Sequence, residues 1–199
     1  MGTDIALFAE EQREDGWHFP GAMEPNDEPL GEKDAIEPAW RPVPHYDGRN
    51  YVLFRLLGSR RTPSHEVDVD AVPVLALLRG LPNDLSAEIQ AWAPYCDTTQ
   101  GSWLLLSEVL AFPWDQARRK VAMVTRRVAH LFRDPTAPFP VERWPANEPI
   151  SYSAWQRGGV TVQWTETYGE SAGSFLTDLA IPLSQQYRPQ TIRVVFWFW

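Results

Sequence analysis

Thr191-Ile-Arg-Val-Val-Phe-Trp-Phe-Trp199 is a nearly unbroken run of β-branched and aromatic residues. Only a strand covered on both faces hides such a run from water, so this stretch is expected to lie inside the core. Working outward, about Glu170 to Gln186 reads as a helix that Pro182 bends or interrupts, and Val160 to Thr165 before it reads as a strand. A strand, a crossing helix and an apolar strand predict a β-α-β unit whose two strands lie parallel in one sheet.

The spacing of Ala117, Val121, Val124, Val128 and Leu131 makes one apolar stripe at helical period, which predicts a helix over 114–132. Its other side is basic, with Arg118, Arg119, Lys120, Arg126 and Arg127, and reads as a solvated face or as an anion or acidic-segment partner. Shorter helices are predicted at 50–57, with Asp47 or Asn50 near its start and Gly58 at its end, at 86–92, and at 106–112 before Pro113. Near the N-terminus, Asp4 to Glu10 reads as a strand, Glu14-Asp15-Gly16 as a turn and Trp17-His18-Phe19 as the return of a β-hairpin.

Two segments resist regular structure. Six prolines between Pro20 and Pro44, and five more between Pro135 and Pro149, remove backbone donors and predict long loops at about 20–44 and 134–150. The alternation Glu66-Val67-Asp68-Val69-Asp70 reads as an edge strand or another loop. No repeat of 20 to 50 residues is visible, so solenoids and propellers are set aside. The expectation is one α+β domain over 1–199, with a mixed sheet built from the N-terminal hairpin and the C-terminal β-α-β unit, and several packed helices.

The 199 residues are 44% hydrophobic and 22% charged, the profile of an ordinary globular domain able to bury a core without cross-links. The single cysteine, Cys96, cannot form an internal disulfide and reads as a buried thiol. With no apolar stretch of membrane-spanning length and no signal-peptide pattern, a cytoplasmic protein without a membrane partner is expected. The net charge of −8 is concentrated: Met1 to Glu37 holds eleven acidic residues against Arg13 and Lys33, leaving the rest of the chain near neutral. That balance argues against nucleic acid as a partner, which requires a basic field. A basic protein would suit the acidic segment, and so would solvent.

The chemistry-bearing motifs are mostly absent: no Gly-x-Ser-x-Gly elbow, phosphate-binding glycine loop, His-Glu-x-x-His or paired-cysteine metal spacing occurs. No cofactor and no metal site are therefore expected. His45 and Asp47 are two apart, which on extended backbone places imidazole and carboxylate on one face, as proton transfer or structural hydrogen bonding would require. His65, Glu66, Asp68 and Asp70 form a second acid-rich group that a hard cation or a charged sheet edge could explain. Ten tryptophans supply large apolar faces with one donor each, suited to core packing or to walls of a recognition pocket.

Met1-Gly2-Thr3-Asp4-Ile5, Tyr46-Asp47-Gly48-Arg49-Asn50-Tyr51-x-Leu53-Phe54, Arg79-Gly80-Leu81-Pro82-x-Asp84, Ser102-Trp103-Leu104, Trp164-x-Glu166-Thr167-Tyr168 and Arg193-x-Val195-Phe196-Trp197-Phe198 occur in this order along the chain. Together they resemble a set of uncharacterised phage and bacterial proteins that typically open Met-Gly-Cys-Asp-Ile-His. The resemblance implies common descent and no particular activity. This chain has Thr3 and Ala6 where that set shows Cys and His, and Gly101-Ser102-Trp103 where it shows His-Ser-Trp, so transition-metal ligands of that kind are missing.

Three readings follow. The first is a module that binds a small polar, nucleotide-like molecule in a Trp-lined pocket, with Asp4, Tyr46, Arg49, Asn50, Ser102, Trp103 and Trp164 as candidate binding residues. The second is a metal-independent enzyme using His45, Asp47 and Glu166 in acid–base chemistry. The third is an acidic inhibitor or immunity-like interaction domain. The polar residues also have a plainer explanation, a hydrogen-bond network that holds the fold.

Overall fold

Residues 4–27, 38–58, 67–68 (backbone only) and 73–198 are described by a computed structural model. In chain order the strands are β1 Ile5–Arg13, β2 Gly16–His18, β3 Met23–Pro25, β4 Trp40–Pro42, β5 Val67–Asp68, β6 Ser102–Leu105, β7 Ala117–Val124, β8 Val160–Thr167 and β9 Ile192–Phe198. The α-helices are α1 Tyr51–Leu56, α2 Ala87–Trp92, α3 Leu106–Ala111, α4 Tyr168–Ser171 and α5 Ile181–Gln186. The fold is α+β with antiparallel sheets. The chain divides into two compact units, one from Met1–Arg60, Val74–Phe112 and Ser174–Trp199, the other from Arg61–Pro73 and Pro113–Gly173.

The first unit is built on a four-stranded sheet in the order β2-β1-β9-β6. Strand β9 sits inside it, antiparallel to β1 with Leu7 opposite Phe196, and antiparallel to β6 with Trp103 opposite Val195. All seven of its residues are buried, as the apolar run demands, because both faces are covered. On one face Ala6, Phe8, Val195 and Trp197 pack with Ile89 and Trp92 of α2. Strand alternation turns Phe198 to the opposite face, where its ring meets Phe54 of α1 edge-on at 5.4 Å. The hairpin forms as expected: β1 and β2 pair antiparallel through Glu14 and Asp15, and Gly16 carries the positive φ of 134° the turn needs.

Helix α1 starts where Asn50, in extended conformation, accepts a hydrogen bond on Oδ1 from the Leu53 N–H at 2.9 Å. Gly58 follows its end at a φ of 91°. Helices α2 and α3 also fall where expected, the second starting with Glu108 reaching back to the Leu105 N–H at 2.8 Å and ending before Pro113. The helix expected over 170–186 is broken into α4, a π-helical turn at Leu176–Ala180 and α5, with Pro182 at the start of α5 directly after the π-helical turn.

Three expectations are overturned. Strand β8 does not join β9 in a β-α-β unit: it lies in the second unit's sheet, in the order β5-β7-β8, and every strand pairing in both sheets is antiparallel. Its alternation, with Val162 and Trp164 buried between exposed Thr161 and Gln163, belongs to a strand with one wet face. The segment read as the clearest helix is instead β7, paired along its whole length with β8, followed by a 3₁₀ turn at Ala129–Leu131. Its buried positions are Arg118, Lys120, Ala122 and Val124, a period of two hidden from sequence reading because two of the four are cations. Arg118 and Lys120 therefore do not belong to a solvated basic face. Finally, regular pairing does occur within the proline-rich stretch: β3 and β4 form a ribbon in which Pro42 faces Met23 and Pro25 faces Trp40. Each proline sits at a strand end, where a donor is dispensable.

The segment 134–150 is irregular apart from a 3₁₀ turn at Val141–Arg143. Of the alternating stretch, only the backbone of Val67 and Asp68 is described, as an edge strand on β7; His65, Glu66, Val69 and Asp70 lie outside the described residues, as does the acidic segment 28–37. Among the described residues no helix is long and apolar enough to cross a membrane.

Candidate functional site

Strand β1 and the chain around Tyr46 are joined by backbone pairing, Leu7 N–H to Tyr46 C=O at 3.1 Å and His45 N–H to Leu7 C=O at 2.8 Å. This brings His45 beside β1, where its Nδ1 accepts the Ala9 N–H at 3.2 Å and its ring meets Phe19 edge-on at 5.4 Å. Burial lowers the His45 pKa, keeping the ring neutral with its proton on Nε2. Tyr46 is buried against Phe175, and burial raises its phenol pKa against the opposing effect of a hydrogen bond with Ser174. Arg49 grips Asp4 through two bonds of 2.7 Å, a bidentate pair that holds the Asp4 carboxyl below its ordinary range. Asn50 is occupied as the cap of α1.

Ser102 and Trp103 lie on β6, at the edge of the same sheet. Ser102 Oγ accepts the Arg79 N–H at 2.9 Å, and the Arg79 guanidinium lies over the Trp103 ring at 4.8 Å while bridging to Glu108. These contacts fasten the segment around Arg79 to the edge strand. Trp164 and Glu166 belong to the second unit. Trp164 packs among Phe132, Phe139 and Trp144, and its Nε1–H donates to Glu166 Oε2 at 3.1 Å. The other Glu166 oxygen accepts from Ser171 Oγ at 2.5 Å and faces Lys120 Nζ at 3.6 Å. Nine of the ten candidates thus divide among the approach to α1, the β6 edge and the core of the second unit.

Of the ten, Asp47 lines a cleft in the first unit. This concavity of about 520 Å³ lies over Ala6, Phe8 and Trp197 of the central sheet, is walled by Trp92, Tyr95 and Cys96, and is bordered by Glu24, Arg41, Pro42, Val43, Pro44 and Asp97. Helix α2 runs directly into a 3₁₀ turn at Ala93–Tyr95, which places Trp92 and Tyr95 one turn apart with rings 33° from parallel and centroids 6.3 Å apart. The ribbon supplies the opposite rim, where Arg41 Nε donates to Glu24 Oε1 at 2.8 Å. Burial pushes the Cys96 thiol up to about 11, so it is no nucleophile at neutral pH. Trp197 has no exposed surface, and a hydrogen bond between its side chain and the Cys96 thiol opposes the effect of burial on that thiol.

Sequence reading found Asp47 but passed over Trp92, Tyr95 and Trp197. The spacing of Trp92 and Tyr95 at i and i+3 was the available signal. It passed over a second feature of the unit as well. Arg193, inside the apolar run, donates from Nε to Glu10 Oε2 and from Nη1 to Asp84 Oδ1, each at 2.7 Å, and its guanidinium lies 4.1 Å from the Trp17 ring centroid. Glu10 Oε1 accepts the Ser86 N–H at 2.7 Å, so the buried charges are mutually satisfied.

Comparison of the chain with protein-family models, with curated proteins and with solved structures finds no match.

Proposed function

We propose that this protein binds a small polar molecule in the cleft between α2 and the β3–β4 ribbon. The observation that carries this reading is the cleft's make-up: an indole floor and an indole–phenol wall facing a rim of ionisable side chains, in a volume typical of small-molecule sites. Aromatic faces take up the body of a ligand and the rim orients its polar groups. The neutral, hydrogen-bonded His45 and the fully engaged Glu166 serve the fold in this reading, and Asp47 serves the cleft.

The reading is tested by intrinsic tryptophan fluorescence and thermal denaturation against a panel of amino acids, amines, sugars and nucleosides. A binding member of the panel raises the Tm and perturbs emission in the wild type, and loses both effects in Trp92→Ala while the far-UV circular dichroism is kept. Retention of the response in that variant, or no response across the panel, contradicts the proposal.

A further inference from the structure

We infer that β8 is the seam of a symmetric dimer, its open edge pairing antiparallel with β8 of a second copy of this chain across a two-fold axis at Val162. The seam lies in the second unit and does not depend on the cleft. Strand β8 is an outer strand of its sheet, and its neighbours fix which way its backbone groups point. In an antiparallel ladder successive residues turn their N–H and C=O to opposite edges. On β7, Val121 and Met123 turn theirs away from β8: Val121 faces Val67, and Met123 exchanges bonds of 2.7 and 3.1 Å with Ser153. Lys120 and Ala122 therefore bond β8, at Trp164 and Val162 opposite them. Thr161, Gln163 and Thr165 are left pointing outward. The Thr165 N–H agrees, donating to the Ala137 C=O at 2.9 Å, whereas Thr161 and Gln163 have no backbone partner on that side among the described residues.

Edges of this kind are ordinarily blunted by charge, proline or a bulge. Residues 160–164, Val-Thr-Val-Gln-Trp, carry neither charge nor proline, and Thr161 and Gln163 are exposed. Symmetry and length select a second copy as the occupant. In a pairing centred on Val162, Thr161 of each copy faces Gln163 of the other and exchanges both bonds with it, so every open N–H and C=O of the edge is satisfied. Centring on Gln163 instead would set Thr161 against Thr165, whose N–H Ala137 already holds. The ends fit as well. Before Val160 the chain turns away through Gly158, at a φ of 69°, and Gly159, whose N–H goes to the Gln156 C=O, so each copy's strand stops short of the Ala137 segment on the other. The facing side chains are uncharged, which sets no like charges together and offers a charged peptide no countercharge. Two three-stranded sheets would join into one of six strands.

The test is sedimentation equilibrium of the full chain at loading concentrations up to about 300 µM, above the dissociation constant of roughly 10 to 100 µM expected of so small a joint. Reversible association to twice the monomer mass of 22.8 kDa is expected. Thr161→Glu/Gln163→Glu sets two pairs of like charges face to face in the seam and should weaken association at least about tenfold. Thr161→Lys/Gln163→Glu makes the same pairs opposite in charge and should restore association to within about threefold of wild type. All these changes fall on exposed side chains, and circular dichroism checks the fold. A monomer at every concentration overturns the inference. So does a dimer that the like-charged variant leaves intact, because another surface must then hold it. Failure of the oppositely charged variant to associate better than the like-charged one rejects the register and with it the seam. Should either variant fail to fold, the wild-type amide resonances decide: concentration-dependent shifts centred on Thr161 and Gln163 support the seam, and shifts centred elsewhere overturn it.

Discussion

Glu10 and Arg193, 183 positions apart in the chain, face each other across the β1–β9 pairing at 2.7 Å with almost no exposed side-chain surface. A lone charge at either position would be uncompensated in the core, so each residue's placement depends on the other. Arg193→Met is expected to cost about 3 to 5 kcal/mol in urea denaturation, because it leaves the Glu10 carboxylate buried without its cation. The Glu10→Met/Arg193→Met double variant should recover a large part of that loss. A double variant as unstable as the sum of the two singles would show that the pair is not coupled.

The strand assignment of β7 separates two adjacent arginines. In a strand Arg118 points inward and Arg119 outward, and the burial of 118 and exposure of 119 agree. Arg118→Glu, which also sets a like charge into the neighbourhood of Glu166 opposite it in the register, should destabilise by more than about 2 kcal/mol, and Arg119→Glu by about 0.5 kcal/mol or less. Comparable effects at both positions would favour a helix, in which both lie on the polar side.

His45 gives the fold a dependence on pH. Its pKa is lowered in the folded chain from an ordinary value of about 6.5, so the unfolded chain binds the proton more readily. The associated stability is complete above that ordinary value and declines as pH falls below it. The Tm should drop between pH 7 and pH 5. His45→Asn, whose amide oxygen can accept the Ala9 N–H in place of Nδ1, should flatten that slope. An unchanged slope in the variant would assign the pH dependence elsewhere.

Two helix starts with similar sequence signals should respond differently to alanine. Asn50 accepts the Leu53 N–H, and Asn50→Ala should lower stability by about 1 kcal/mol. Ser86 makes no cap hydrogen bond, and its buried Oγ has no partner among the described residues. Ser86→Ala should be neutral or slightly stabilising, because it removes an unsatisfied group. Chemical denaturation of the two variants side by side checks the contrast.

Local signals were read most reliably where one residue's chemistry decides the backbone. The hairpin through Gly16, the Asn50 cap, Gly58 after α1 and the stop at Pro113 are of this kind. The helical reading of 114–132 fails because the apolar residues of 117–131 recur at helical spacing, while the positions that point inward are filled partly by Arg118 and Lys120. Their burial becomes possible only with partners brought in from β8 and beyond, such as Glu166 for Lys120 and the Tyr168 ring, 5.9 Å from the Arg118 guanidinium. The candidate site shows the same division. Asp47 stood out by its proximity to His45, yet the tryptophans that wall its cleft come from α2 and β9, far away in the chain.

The amino-acid sequence alone determined that 192–198 must be a doubly covered strand, since no other conformation removes that much apolar surface from water. It also determined where the chain turns, through glycine, proline and side-chain caps that act over three or four residues. Strand order, the antiparallel direction of β9's neighbours and the company of each charged side chain were decided by tertiary structure. Those depend on pairings between residues tens to nearly two hundred positions apart, and hydrophobic pattern carries no information about which distant segment completes a pair.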